Sequence, residues 1–155
     1  MEKNYITKNK LIKEDDVKKM LKSQSFEGNT EMVYILPEVT GEKDLINEFS
    51  PNLYKVAKAN NIPCTIIYNE NDYEYLSLRD SEILLPFIIS LSAGACYDLL
   101  KYFITRFFIE KKDLKVRLIT KKEKETEYRE IEMEGDAEGV IKALEILKES
   151  ENNEV

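Results

Sequence analysis

The stretch from Ile83 to Ile109 is the most apolar part of the sequence, and any water-soluble fold must bury most of it. Residues 83–97 are apolar on almost every side. From Asp98 onward large apolar residues recur at helical spacing, while Lys101 and Arg106 lie opposite them. This pattern predicts one long helix that is deeply buried in its first half and amphipathic in its second half.

Two short apolar runs precede this segment. Met32–Leu36 and Cys64–Tyr68 are each flanked by a proline and indicate buried strands. Between them, Glu42–Asn60 has two apolar faces at helical spacing, interrupted at Ser50-Pro51, which predicts two short helices or one kinked helix. Strand, helix and strand in this order predict a right-handed βαβ unit with parallel strands.

Alternating segments predict further strands. Tyr73–Leu78 alternates and is expected to pair back on the second buried strand as a hairpin. An antiparallel hairpin with one solvent-exposed face is predicted from the alternation in Leu114–Thr120 and Tyr128–Met133. Asp136 is the expected N-cap of a last helix. The apolar stripe of that helix consists of Ala137, Val140, Ile141, Leu144 and Leu147.

The predicted fold class is α+β, with a small mixed sheet packed around a long central apolar helix and a C-terminal helix. Residues 1–30 are expected to form a polar N-terminal arm with one helix from Asp15 or Asp16 to about Lys22. Residues 31–149 are expected to form a single α+β domain, and residues 150–155 a frayed acidic tail.

The charge balance disfavours several partners. The net charge of −7 repels phosphate backbones, so nucleic-acid binding is not expected. The near-unbroken apolar run is about 15 residues long, short of the roughly 20 that a bilayer core requires, so a membrane helix is not expected either. Cys64 and Cys96 lie in apolar runs, as buried reduced thiols do, and no secretory signal is evident, which together predict a cytoplasmic protein.

The residues that most enzymes use are missing. The chain has no histidine, which excludes serine and cysteine catalysis with a histidine base and nearly all catalytic zinc sites. No phosphate-binding glycine motif occurs, and we predict no cofactor and no catalytic residue. Carboxylates alone could hold Mg²⁺, and two sets are candidates: Glu70, Asp72 and Glu74, or Glu130, Glu132 and Glu134. The second set is more typical of a solvated sheet face that answers nearby lysines, and no metal site is predicted.

Two groups of residues are candidates for contacts. Tyr68, Tyr73 and Tyr75 crowd one predicted hairpin, and tyrosine is favoured at contact surfaces, so we predict a partner-binding surface there. The small residues Ala93 and Gly94 would let another backbone approach, either inside the domain or in a second copy. Together with Phe107 and Phe108 at the other end of the predicted helix, they are the candidate contacts of a homodimer.

The C-terminal half has a distinctive order of elements. An apolar helix rich in small residues, Ser90–Phe108, is followed by a hairpin, Lys115–Glu134, and a helix with an acidic cap, Asp136–Leu147. This order resembles the small effector-associated components encoded beside toxins or proteases in bacterial conflict systems. The similarity covers about 60 of the 155 residues, and the hairpin turn is rich in Lys and Glu where Asp-Gly would be expected. The resemblance implies a protein that binds another protein, such as an effector encoded nearby.

These observations favour a non-enzymatic accessory or adaptor protein of a bacterial defence system that acts through protein–protein contacts. The alternative is a sensor of small molecules or nucleotides, with its site at the carboxyl ends of the parallel strands, Leu36-Pro37-Glu38 and Tyr68-Asn69-Glu70. A third hypothesis is a Mg²⁺-dependent nuclease or phosphatase that uses the carboxylate sets.

Overall fold

The computed structural model describes residues 5–21, 32–40, 43–76, 83–90, 93–121 and 128–152. In these ranges the chain forms four helices and ten strands. The helices are α1 (Glu14–Met20), α2 (Ser50–Ala59), α3 (Ala93–Phe107) and α4 (Ala137–Asn152). The first five strands are β1 (Ile6–Ile12), β2 (Val33–Leu36), β3 (Glu38–Thr40), β4 (Lys43–Asn47) and β5 (Cys64–Ile66). The others are β6 (Tyr73–Leu76), β7 (Ile83–Leu84), β8 (Phe87–Ser90), β9 (Leu114–Lys121) and β10 (Tyr128–Gly135).

The strands form two sheets. The larger sheet has the order β1-β10-β9-β8-β2-β5, and β7 pairs with β9 beside β8. The pairs β2–β5, β8–β9 and β7–β9 are parallel, while β1–β10, β9–β10 and β2–β8 are antiparallel. The smaller sheet has the order β3-β4-β6. The predicted α+β class, with a mixed sheet and a C-terminal helix, is confirmed.

Helices cover both faces of the larger sheet. On one face α2, α3 and α4 bury a cluster that includes Leu53, Phe103 and Leu144 against Ile35 and Leu118 of the strands. On the other face α1 covers a smaller cluster. Its members are Val17, Leu21, Tyr34, Leu36, Ile67, Ile89, Ile119 and Tyr128. Burial on both faces explains why the central strands read as continuous apolar runs rather than as alternating ones.

The segment expected to be one long helix is divided into strand and helix. Residues 83–84 and 87–90 are strands, and the helix begins only at Ala93. Pro86 and the β-branched Ile88 and Ile89 favour extended backbone. A buried strand and a buried helix show the same unbroken apolar run, so hydrophobic periodicity could not separate them.

Two further predictions are corrected. The first half of the expected helix Glu42–Asn60 is strand β4, and the helix occupies only Ser50–Ala59. Strand β6 does not pair back on β5; it lies parallel to β4, with Tyr73 opposite Asp44. The sequence indicated neither β4 nor its pairing with β6. Lys43–Asn47 is too short for the spacing of its apolar residues to distinguish a strand from a helical turn.

The hairpin and the last helix agree closely with the sequence predictions. β9 and β10 pair without a bulge, from Leu114 opposite Gly135 to Lys121 opposite Tyr128. Asp136 caps α4, because its Oδ2 accepts a hydrogen bond from the backbone N–H of Gly139 at 3.3 Å. Helix α4 continues to Asn152, three residues into the segment expected to fray; residues 153–155 lie outside the described ranges.

Strand β1 was not expected from the sequence, which indicated only a helix within residues 1–30. The strand pairs with β10 from Ile6 to Ile12, at the edge of the larger sheet. Just before it, the hydroxyl of Tyr5 donates a hydrogen bond to Asp136 Oδ1 at 2.7 Å, and this bond raises the pKa of Tyr5 above its usual value. The Tyr5 ring packs where a Cβ on Gly135 or Gly139 would be. Gly135 also has a φ of 144°, which residues with side chains rarely adopt.

The Tyr5 contact predicts opposite effects for two glycine substitutions. Gly139→Ala places a methyl group inside the Tyr5 ring, so the ring must leave its site, and we expect a loss of about 1–3 kcal/mol in unfolding free energy. Gly94→Ala is the matched control, since nothing lies within 4 Å of a Cβ there and a helical alanine gains up to about 1 kcal/mol. Urea unfolding measures both, and equal stabilisation by the two changes would contradict the packing of Tyr5.

Candidate functional site

A cluster of buried polar side chains joins the two sheets. Glu38 of β3 pairs with Arg117 of β9, and both side chains are mostly buried. Arg117 also donates to the carbonyl of Leu85 at 3.4 Å, and its guanidinium lies 5.4 Å from the centre of the Phe87 ring. The sequence did not reveal this pair, because its partners are 79 residues apart and each looks locally like a surface charge.

Asn47 extends this cluster to the start of α2. Its amide nitrogen donates to the carbonyl of Leu84 at 2.8 Å and to Glu38 at 3.4 Å. Its amide oxygen accepts from the backbone N–H of Phe49 at 2.9 Å, directly before the helix. Asn47 is fully buried, so these bonds are shielded from water and fix β4 relative to the larger sheet.

The smaller sheet brings the three predicted tyrosines together. The ring centres of Tyr68 and Tyr73 are 4.9 Å apart, and those of Tyr73 and Tyr75 are 6.1 Å apart, both with edge-to-face geometry. Tyr73 is 40% exposed and Tyr75 is 60% exposed. These three residues are called the tyrosine cluster below. It is held by aromatic contacts and by β6, and it presents large apolar rings to solvent.

The loop that carries Tyr68 is tied to β4. Asp44 accepts a hydrogen bond from the backbone N–H of Asn69 at 2.7 Å, and Asn69 in turn accepts from the N–H of Asn71 at 3.1 Å. A further bond joins the backbone N–H of Asp72 to the carbonyl of Asn69 at 3.1 Å. The turn before β6 is therefore ordered by local hydrogen bonds, which place Tyr68 beside Tyr73.

Carboxylates surround the tyrosine cluster. Lys43 lies 3.1 Å from Glu74 and 4.0 Å from Asp72, and the hydrogen bond to Glu74 raises the pKa of Lys43. Asp44 and Glu70 add two more acidic groups on β4 and the turn. Among the described residues of β4, β6 and the turn between Asn69 and Asp72, one lysine therefore accompanies four carboxylates.

Lysines form ion pairs with the carboxylates that were considered as Mg²⁺ ligands. Lys8 of β1 lies 2.9 Å from Glu130 and 3.8 Å from Glu132, and Lys115 lies 3.5 Å from Glu134. In the described ranges no group of three acidic, cysteine or histidine side chains is arranged to hold a metal ion. The geometry favours a cross-strand ladder of ion pairs over a metal site.

The candidate homodimer contacts do not lie on one face. A Cβ at Gly94 would meet nothing within 4 Å, so close packing inside the described domain does not explain that glycine. Phe107 is 44% exposed, whereas Phe108 is buried against Phe49 and Phe103 and is not available for a contact. At about 100° per residue, Gly94 and Phe107 point roughly 140° apart around α3. The side chain of Ala93 lies outside the described part.

The alternative site lies at the carboxyl ends of the parallel strands β2 and β5. The side chains at these two ends differ in whether they already bond to other residues. Glu38 lies two residues after the end of β2, and its carboxylate is already bonded to Arg117 and Asn47. At the end of β5, Tyr68 belongs to the tyrosine cluster and Glu70 is exposed. Two open depressions occur elsewhere on the surface, one beside Asp113 and Asp136 and one between α3 and α4.

The comparisons with known proteins give no relative. No family model matches the chain, no curated protein is similar to it, and no solved structure matches it. Within the described ranges, no helix combines the length and apolar character needed to cross a bilayer.

The cysteines are expected to be inert in the folded protein. Both are buried and neither forms a disulfide, and burial raises the pKa of Cys64 to about 12, so at neutral pH its sulfur is a protonated thiol. We expect iodoacetamide at pH 8 to alkylate Cys64 and Cys96 only as fast as the protein unfolds. Mass spectrometry measures the extent of alkylation over time. Denaturant is the positive control, and rapid alkylation of native protein would contradict the burial.

The open space at Gly94 makes it a clean probe of self-association. Gly94→Leu should not lower the unfolding free energy, because a Cβ there meets nothing within 4 Å and leucine has a higher helix propensity than glycine. If the start of α3 is a dimer contact, light scattering should give two chain masses for the unmodified protein and one for this variant. One chain mass for both proteins at high concentration would contradict the dimer.

Proposed function

We propose that this chain is a non-enzymatic accessory or adaptor protein that acts through protein–protein contacts, and that the tyrosine cluster binds its partner. The observation that carries the proposal is the exposure of Tyr73 and Tyr75 on strand β6, which lies at the end of the smaller sheet. Tyrosine rings supply large contact area at low cost in side-chain entropy, and they are enriched at interfaces.

The arrangement of the cluster supports binding rather than catalysis. The rings of Tyr68, Tyr73 and Tyr75 hold one another in place, so little side-chain freedom remains to be lost when a partner binds. No histidine accompanies them, and the nearby carboxylates Asp72 and Glu74 are paired with Lys43. A rigid aromatic patch with a charged rim matches the usual anatomy of a contact surface.

We further propose a place for this activity: the cytoplasm of a bacterium, within a defence or conflict system, with an effector encoded nearby as partner. The support is the order α3, β9–β10 hairpin and α4, which is the order of elements that resembles the effector-associated components. Cys64 and Cys96 are buried and not joined by a disulfide, which suits a reducing compartment. Recovery of a housekeeping complex in place of an effector would contradict this assignment.

A ligand sensor is the second candidate, and the parallel pairing of β2 with β5 is the observation that favours it. It ranks second because the side chain at one strand end, Glu38, is already paired with Arg117. Thermal shift against metabolites and nucleotides at millimolar concentration tests it. A rise in melting temperature with any of them would support a sensor, since saturating ligand adds a few kcal/mol.

The tyrosine cluster predicts which substitutions abolish partner binding. Tyr75→Ala should weaken the interaction about 30-fold, since truncating a central interface tyrosine costs roughly 2 kcal/mol. Tyr102→Ala is the matched control, because Tyr102 is a tyrosine of similar exposure, 45%, on α3. The measurement is co-purification from native cells followed by titration of the recovered partner. Equal binding by Tyr75→Ala and the unmodified protein would refute the assigned surface.

A further inference from the structure

The backbone of β6 has one side without a strand among the described residues. β6 pairs with β4 on its other side, and the backbone N–H of Glu48 donates to the carbonyl of Leu76 at 3.1 Å across that pair. Backbone groups of successive strand residues point to opposite sides. The N–H and C=O of Tyr73 and Tyr75 therefore point away from β4, on the open side.

Strands β1 and β6 each lie at an end of their sheet, and they differ in how well they would accept another strand. β1 carries Lys8 and Lys10, and lysine on an edge strand is a common protection against association. β6 presents Tyr73 and Tyr75 with their outward backbone groups, and these residues have high strand propensity. The open side of β6 is therefore suited to accept another strand.

Charge selects the kind of strand that fits. The side chains of Asp72 and Glu74 are 51% and 62% exposed beside this edge, and Lys43 is shared between them, so these three groups together keep one negative charge. A second copy of this chain, placed with its own β6 against this one, would bring these carboxylates against their equivalents. An added strand with cationic side chains would instead meet tyrosine rings on one face of the sheet and Glu74 on the other.

We propose that the partner segment is an extended peptide rich in arginine and lysine, which adds to the open side of β6 as a strand of the smaller sheet. Its backbone pairs with Tyr73 and Tyr75, and its cations contact the tyrosine rings and the nearby carboxylates. This is β-strand addition, in which main-chain hydrogen bonds supply affinity and side chains supply selectivity. The inference rests on the proposed function, because it names the chemistry of the partner at that same surface.

The test uses synthetic peptides and the full chain. The probe is a peptide of about eight residues that alternates arginine with valine and threonine, long enough for one strand. One control peptide has glutamate in place of arginine. The other keeps the arginines but is N-methylated at alternate residues, in two versions that cover both registers; the version methylated at the N–H groups that face β6 cannot pair. We expect the acidic peptide and one of the two N-methylated versions to bind at least about tenfold more weakly, and binding of the probe to weaken about tenfold from roughly 50 to 500 mM salt.

Two variants separate the backbone from the ring. Tyr75→Ala removes the ring alone, whereas Tyr75→Pro also removes the outward N–H at an edge position, where proline is tolerated. Tyr75→Pro should bind the probe more weakly than Tyr75→Ala. Circular dichroism checks that each variant is folded. If Tyr75→Pro is not, hydrogen exchange on the unmodified protein replaces it: the Tyr73 and Tyr75 amides should exchange fast alone and slowly with the probe.

The outcomes separate this inference from the proposed function. Equal binding of the acidic peptide or of both N-methylated peptides overturns strand addition by a basic segment, and so does no binding at millimolar probe. Protected Tyr73 and Tyr75 amides in the free protein overturn it as well, since another segment or copy then covers the edge. In each case loss of the cellular partner with Tyr75→Ala would still support the proposed function, and its retention would refute that function separately.

Discussion

The ion pair between Glu38 and Arg117 is the interaction on which the position of the smaller sheet depends. Removing two charges from water is costly, and further hydrogen bonds to the pair offset part of that cost. Here the guanidinium also donates to the carbonyl of Leu85 and lies over the ring of Phe87, and Glu38 accepts a second hydrogen bond from Asn47. The buried Nε of Arg117 has no hydrogen-bond partner in the described ranges. One polar cluster therefore fixes β3 and β4 against β9, and loss of either charge would leave the other buried alone.

The position of β6 follows from that anchoring. β4 is held at Asn47 by bonds to Leu84 and Phe49, so the strand that pairs with it, β6, is carried at a fixed distance from the main core. The larger sheet uses helices to cover both of its faces, whereas β6 stays at the end of a three-stranded sheet. The aromatic surface is thus set on a rigid base, which would lower the entropy cost of the binding proposed there.

The sequence predictions succeeded where local signals are strong. They failed where burial on both faces removes the alternation of apolar and polar residues. The alternation of Leu114–Thr120 and Tyr128–Met133 was sufficient for the hairpin, and Asp136 was sufficient for the start of α4. Tyr68, Tyr73 and Tyr75 were found as a cluster because they are close along the chain. Residues 83–90 were assigned to a helix because a strand buried on both faces loses its period of two.

What the sequence by itself determined is therefore the class of fold, the hairpin, the capped C-terminal helix and the proximity of Tyr68, Tyr73 and Tyr75. Tertiary structure alone decided that β6 pairs with β4 rather than with β5, and that Glu38 meets Arg117. The reason is physical: period, caps and turns are encoded within a few residues, whereas strand pairing and buried charge pairs depend on contacts between distant segments. These long-range contacts contribute to the free energy of folding only after the chain has brought the segments together.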